Sequence, residues 1–229
     1  MNTAVILAAG KGSRMKAEIN KQFLLLQGKP IIVHTLEAFN KCREIDEIIV
    51  VTAPEELEHF QGQVLNKYCL DKVKRLIPGG AERQQSAYNG VAASSKDSEI
   101  VLIHDGARPF VSQQTIINCI NEARKHGAAS AGMPSKDTIK LVDDDHIVVS
   151  TPPRNRVWLT QTPQAFQREL ISMAHTRAME QEVTATDDAM LVELMDCPVK
   201  MVEGSYENIK ITTPEDILVA EQLIKIINK

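Results

Sequence analysis

The stretch AVILAAGKGSRMKAEINK, Ala4 to Lys21, decides the reading of the fold. Ala4 to Leu7 is a short apolar run with little alternation, as expected of a strand buried on both faces. Gly10 and Gly12 follow at once and allow backbone conformations closed to other residues, so successive N–H groups can turn inward around a phosphate chain. Arg14 and Lys21 add mobile positive charge. An ordinary glycine turn between a strand and a helix has the same spacing; the two nearby cations favour phosphate. Counted from Gly10, a dinucleotide-binding fingerprint requires glycine or alanine where this chain has Met15. A Walker A loop requires glycine there and Ser or Thr in place of Ala17. Both patterns fail, which disfavours an oxidoreductase or a P-loop NTPase.

Working outward, similar β-runs recur at Glu47 to Thr52, Lys74 to Ile77, Ile100 to Ile103 and Ala128 to Gly132, with helical patterns between them. That alternation predicts an α/β fold with a Rossmann-like, mostly parallel sheet and helices on both faces. Pro30 and Pro54 stand where first helical turns begin, Ile32, Leu36 and Phe39 share one helix face, and Gly127 is placed to end a helix that starts near Ser112. After Pro134, KDTIKLVDDDHIVVS reads as two β-runs around an acidic turn at Asp143 to Asp145, a hairpin that projects from the sheet. Helices are expected near Arg168 to Glu180 and Asp187 to Met195, the second capped by Thr186, and a last one from Thr213, where Thr213 and Asp216 make a capping-box-like pair. The expected organisation is a single domain over residues 1–229 with a β-arm at about 136–160.

Composition narrows the function. Of the 229 residues, 43% are hydrophobic and 24% charged, enough apolar material for one aliphatic core. The net charge of −4 argues against a general nucleic-acid binder, which wants a basic excess. Cys42, Cys69, Cys119 and Cys197 are scattered, with no metal-ligand spacing, and read as reduced thiols of a cytoplasmic protein. The run Thr3 to Gly10 is too short for a membrane span and lacks the basic residues that precede a signal peptide's core, so no membrane partner is expected.

Three further segments carry chemistry. HDGARPF, His104 to Phe110, follows a strand, at the sheet edge where open α/β folds bind ligands. There Asp105 suits Mg²⁺ or a ribose hydroxyl and Arg108 suits phosphate oxygens, although an Asp–Arg pair can also simply tie down a loop. His104 reads as structural. GGAERQQS, Gly79 to Ser86, also joins a strand to a helix, so Gly80 and Ser86 can approach a nucleobase and sugar. In NIKIT, Asn208 to Thr212, Lys210 alternates with Ile209 and Ile211 on a short strand, where a lone lysine ordinarily faces solvent.

Taken in order, LAAGKGSRM, KQF, GGAER, HDGARPF, KDTIK, TQTPQAF, TDDA and EGSYENIKITTPED resemble the 2-C-methyl-D-erythritol 4-phosphate cytidylyltransferases of non-mevalonate isoprenoid synthesis. Ribitol 5-phosphate cytidylyltransferases are similar over most of this length but usually carry Ser-Val where this chain has Gly106 and Ala107. The resemblance implies a transferase that joins CTP to a polyol phosphate and releases pyrophosphate. It implies that Ala8, Ala9, Gly10 and Gly12 wrap the triphosphate and that Arg14, Lys21 and Lys210 are catalytic. Gly80, Ser86, Asp105 and Gly106 would hold cytidine and its ribose, with Asp105 at a Mg²⁺ ion. It further implies a homodimer whose arm reaches across, so that Thr138, Arg154 and Thr162 serve the partner's acceptor site beside Arg108 and Lys210. Ala81 departs from the pattern, since relatives often have Asp there. A non-catalytic nucleotide-binding protein is the alternative of another class; it predicts CTP binding with no acceptor turned over.

Overall fold

Parallel strands that run apolar on both faces need helices on both sides, and the chain supplies them in alternation. The computed structural model describes residues 1–10 and 20–227. Strand β1 (Asn2–Ala8) leads to a small hairpin of β2 (Leu25–Leu26) and β3 (Lys29–Pro30), then to helix α1 (Ile31–Lys41). Strand β4 (Glu47–Thr52), helix α2 (Leu57–Phe60), β5 (Val73–Pro78), α3 (Arg83–Ala93), β6 (Ile100–Asp105), α4 (Gln113–His126) and β7 (Ala128–Pro134) continue the alternation. The hairpin expected after Pro134 is β8 (Leu141–Val142) paired antiparallel with β9 (Val148–Ser150). Strand β10 (Trp158–Gln167), α5 (Arg168–Glu180), α6 (Asp188–Glu193), β11 (Lys200–Glu203) and α7 (Pro214–Ile227) complete the chain.

The main sheet has the order β11-β7-β10-β6-β1-β4-β5. β1 runs parallel to both β4 and β6, and β10 alone runs against its neighbours, β6 and β7. Successive side chains point to opposite faces of a strand. Ala4 and Ile6 therefore join Ile32, Leu36 and Phe39 of α1 and Ile116 and Ile120 of α4 in one core. Val5, from the same strand, joins Ala87 and Val91 of α3, Ile171 of α5 and Leu191 and Val192 of α6 in the other. At about 25 cal/mol per Å² of apolar surface, these two layers are the main favourable term holding the sheet together. No helix among the described residues is long and apolar enough to cross a membrane.

The helix signals are mostly met. Ser112 accepts a hydrogen bond from the Thr115 N–H at the start of α4, and Gly127 ends that helix at φ +88°. At α7 the Asp216 carboxylate accepts from the Thr213 N–H at 2.9 Å, the capping-box half expected of that pair. Two expectations need correction. α6 is capped by Asp187, not Thr186: Asp187 has the extended backbone of a cap residue and its carboxylate accepts from the Met190 N–H at 2.9 Å. Asn208 to Thr212 forms no strand. Its backbone bonds go elsewhere, with the Ile211 N–H donating to the Ala107 carbonyl and the Asn208 carbonyl accepting from Arg108.

Candidate active site

The strand order reverses between β1 and β6, and in open α/β sheets the crevice beyond the carboxyl ends at such a point is where ligands bind. A cleft of about 730 Å³ lies there. Ala9 and Gly10 after β1, Lys21 and Gln22, the segment Gly79 to Arg83 with Gln85 and Ser86, Asp105 at the end of β6, and Lys210 all line it. Of the residues singled out from the sequence, Ala9, Gly10, Lys21, Gly80, Ser86, Asp105 and Lys210 are thus brought together. Ala8 ends β1 behind them, and Gly12 and Arg14 lie outside the described residues.

Asp105 organises the cleft. Lys210 Nζ lies 2.8 Å from its Oδ2, Arg108 Nε 3.6 Å from the same oxygen, and Arg83 Nε 3.6 Å from Oδ1. Burial alone would raise its pKa, but the charges of Lys210, Arg83 and Arg108 outweigh that and hold the carboxyl well below the usual carboxylate range. Asp105 is therefore ionised at neutral pH and is ringed by three cations, of which Arg83 is shared with Asp188. Lys210 does not face bulk solvent as a lone strand lysine would. The loop that carries it is pinned by Asn208, whose Nδ2 donates to the Thr162 carbonyl at 2.9 Å and to Gln161 Oε1 at 3.2 Å, while its own carbonyl accepts from Arg108.

Beneath Asp105 a second set of bonds fixes its backbone. The Asp105 N–H donates to Thr162 Oγ1 at 3.0 Å, and that hydroxyl lies 3.1 Å from His104 Nδ1. Thr162 thus sits on β10 under its own chain's Asp105, apart from Thr138 and Arg154. Those two are exposed at the root of the hairpin and do not line the cleft. Gly106 is set by contact: a Cβ there would come 2.6 Å from Ile32 Cδ1 and 3.0 Å from the Leu7 carbonyl. Its N–H donates to that carbonyl, which locks the end of β6 against β1.

The wall opposite is the turn before α3. Ser86 Oγ accepts from the Gly80 N–H at 3.0 Å and donates to the Glu82 carbonyl, and Gln85 Oε1 accepts from the Ala81 N–H at 3.0 Å. Backbone thus shapes this wall, and Ala81 leaves it without a carboxylate at that position. Sequence reasoning did not single out Arg83, Asp188, Gln164 or Asn208 as site residues. Each nevertheless lies in a segment quoted as a motif, GGAER, TDDA, TQTPQAF and NIKIT. The motifs meet in space: Gln164 Oε1 accepts from the Asp188 and Ala189 N–H groups, and Arg83 Nη1 lies 2.8 Å from Asp188 Oδ2.

The family described as IspD, 2-C-methyl-D-erythritol 4-phosphate cytidylyltransferase, matches residues 2–226. A relative of that name from Caldanaerobacter subterraneus subsp. tengcongensis is 49% identical over 223 residues, 97% of this chain and 98% of the relative. One from Clostridium acetobutylicum is 48% identical over 225 residues, 98% of each. The crystal structure of 4-diphosphocytidyl-2C-methyl-D-erythritol synthase from Anaerococcus prevotii superposes with a TM-score of 0.86 at 37% identity, covering 98% of both chains. That of the cytidylyltransferase from Thermus thermophilus does so at 0.77 and 32%, covering 98% of this chain and all of the other. With its paired aspartate and its lysine loop at the sheet's reversal point, the chain belongs to the 2-C-methyl-D-erythritol 4-phosphate cytidylyltransferase family.

Proposed function

We propose that this cleft joins CTP to 2-C-methyl-D-erythritol 4-phosphate by direct displacement. An oxygen of the acceptor's phosphate attacks the α-phosphorus of CTP, the new P–O–P bond forms, and the bond to the β-phosphate breaks with its electron pair leaving on pyrophosphate. A phosphate monoester has a second pKa near ~6 and is largely dianionic at neutral pH, so no general base is required. The barrier lies in bringing two anions together and spreading charge in the transition state, which calls for fixed cations. The observation that carries this reading is Lys210 held 2.8 Å from an ionised Asp105, with Arg108 and Arg83 around the same carboxylate.

In this reading Ala8, Ala9, Gly10 and Gly12 present backbone to the triphosphate, and Arg14 and Lys21 stabilise the transition state. Gly80, Ser86, Asp105 and Gly106 hold the nucleoside, and Arg108 and Lys210 receive the acceptor's phosphate. Among the described residues no three His, Cys, Asp or Glu side chains gather into a metal cage. Mg²⁺ commonly uses one or two carboxylates and completes its shell with phosphate and water, which fits the single Asp105. Bound there, it would neutralise phosphate charge. The homodimer belongs to this reading, with Thr138 and Arg154 of each arm serving the partner's site. So does a cytoplasmic place of action, which the free thiols of Cys42, Cys69, Cys119 and Cys197 support.

The test is pyrophosphate release from four nucleoside triphosphates crossed with methylerythritol 4-phosphate, ribitol 5-phosphate and a hexose 1-phosphate. Turnover confined to CTP with methylerythritol 4-phosphate is expected. Preference for ribitol 5-phosphate would overturn the acceptor assignment, and CTP binding without turnover of any acceptor would overturn catalysis.

A further inference from the structure

Arg83 and Asp188 form a charged pair that neither the reaction outlined above nor the stability of the fold explains. Arg83 is the first residue of α3, and its side chain lines the cleft on the side of the Gly79 to Ser86 turn. Its guanidinium bridges two carboxylates, with Nε 3.6 Å from Asp105 Oδ1 and Nη1 2.8 Å from Asp188 Oδ2. Asp188 is 1% exposed at the start of α6. Its backbone N–H is held by Gln164 Oε1 at 3.1 Å, and Gln164, itself fully buried on β10, donates through Nε2 to Asp187 Oδ2 at 2.8 Å. His175 of α5, also 1% exposed, backs the carboxylate with Nε2 at 3.4 Å from Oδ1. The carboxylate therefore sits inside the second core, with Gln164 holding its backbone and neither carboxylate oxygen making a hydrogen bond, so that its contacts are the ion pair to Arg83 and the approach of His175.

A pair with one partner fully buried is a poor stabiliser, because desolvating the Asp188 carboxylate offsets much of its attraction to the partly exposed Arg83. What the pair does achieve is aim. Arginine carries substantial rotamer entropy, and a second carboxylate at 2.8 Å removes it before any ligand arrives. The other end of the same guanidinium meets the cleft beside Asp105 Oδ1, whereas Lys210 and Arg108 take Oδ2. Asp105 thus divides the cations between the turn that faces the nucleoside and the loop that faces the acceptor.

We infer that Arg83 is a nucleotide-binding residue for CTP, donating to the anionic nucleotide rather than to the acceptor, and that buried Asp188 is the positioning residue that aims it. This rests on the CTP reading of the cleft, so the experiment begins with calorimetric titration of CTP into the unaltered protein. Failure to bind there sinks that reading. Binding there, followed by normal binding in the variants, sinks only the inference.

Arg83→Gln alone strands a buried carboxylate, so the deciding variant is Arg83→Gln/Asp188→Asn, which removes both charges together. It is expected to melt near the parent while its CTP Kd and KM rise about tenfold or more, the weight of one charge-assisted hydrogen bond. Its KM for the acceptor is expected to stay within about twofold, because Lys210 and Arg108 are untouched. Arg83→Lys keeps the charge without the fork and is expected to restore only part of the CTP affinity. Asp188→Asn with Arg83 intact is expected to weaken CTP several-fold, and less than additively with Arg83→Gln. CTP affinity unchanged in the double variant, or a defect falling on the acceptor's KM, would overturn the role of Arg83. Full CTP affinity in Asp188→Asn would overturn the positioning role of Asp188.

Discussion

His104 has one neutral tautomer that its neighbours can satisfy. The Arg108 carbonyl, 3.2 Å from Nε2, can only accept, so Nε2 carries the proton and Nδ1 is left to accept from the Thr162 hydroxyl at 3.1 Å. That leaves the Thr162 lone pairs for the Asp105 N–H, and the three groups lock together around a neutral imidazole. Burial favours the same form: it moves the pKa from the ordinary 6.5 to about 4, against the pull of the Asp105 charge. As pH falls through 6.5 the unfolded chain takes up a proton that folded His104 refuses until about 4. In that window the unfolded state binds more protons, so stability drops with falling pH, by up to about 3 kcal/mol from this residue. In chelator-containing buffer, denaturant unfolding of His104→Gln, which keeps a donor for Arg108 and cannot ionise, is expected to show a correspondingly shallower loss between about pH 7 and pH 4. An unchanged slope would show that His104 takes up its proton in the folded chain as readily as in the unfolded one. The sequence marked His104 as structural from its strand-end position. It could not reveal the partner, since Thr162 lies 58 residues away.

At the scale of elements, α3 is set against the sheet by an absent side chain. A Cβ on Gly90 would come 2.2 Å from Val5 Cγ1 and 3.1 Å from Val51 Cγ2, both side chains fully buried and stiff at χ1. Alanine raises helix propensity by about 1 kcal/mol over glycine, but overpacking a tight core costs about 1–3 kcal/mol, and at this separation overpacking wins. Gly90→Ala is expected to lower the Tm by several degrees, roughly 2–4 °C per kcal/mol for a chain of this size. It should also weaken CTP, because α3 carries Arg83 and Ser86. A higher Tm would mean the helix relaxes freely. The same contact physics explains what could be read in advance. Strands β1, β4, β6 and β7, and the partly exposed edge strand β5, announced themselves as apolar runs. Strand β10 did not: TQTPQAF is polar and carries Pro163, which a central strand ordinarily excludes. The structure admits it because the pairing with β7 shifts register between Thr160 and Gln164, where Pro163 falls. Its buried glutamines and threonine bond to Asp188, Asn208 and Asp105, so β10 is central to the site as well as to the sheet. The loop from Asn208 to Thr212 misled for the complementary reason, since alternation there serves one buried isoleucine and one carboxylate rather than a sheet.

At the scale of the whole molecule, the arm stands apart from the main sheet among the described residues. Strands β8 and β9 pair only with each other, and an isolated two-stranded hairpin is marginal in water. It also exposes Ile147 at 65% and Val149 at 68%, apolar surface available to the arm-exchanged dimer proposed above. Its root, in contrast, is fixed: Tyr206 donates to the Pro134 carbonyl at 2.9 Å, and Lys136 Nζ lies 3.4 Å from the Tyr206 ring centre. Tyr206 stands on the loop that carries Lys210, so the arm leaves the body at a set place and Thr138 and Arg154 travel with it. If each arm completes the other chain's site, a Lys210→Ala chain lacks a working cleft but still offers a sound arm, and an Arg154→Ala chain is the converse. Each is expected to be nearly inactive alone. Refolded together in equal amounts, half of the dimers are mixed, and each mixed dimer has one cleft with both lesions and one with neither, so about a quarter of the parent activity should return. Were Arg154 to serve its own chain's cleft, every site in the mixed dimer would keep a lesion and no activity would return. Adding Ile147→Asp to both chains should abolish the recovery and shift sedimentation toward the monomer, because a carboxylate on that face cannot be buried unpaired.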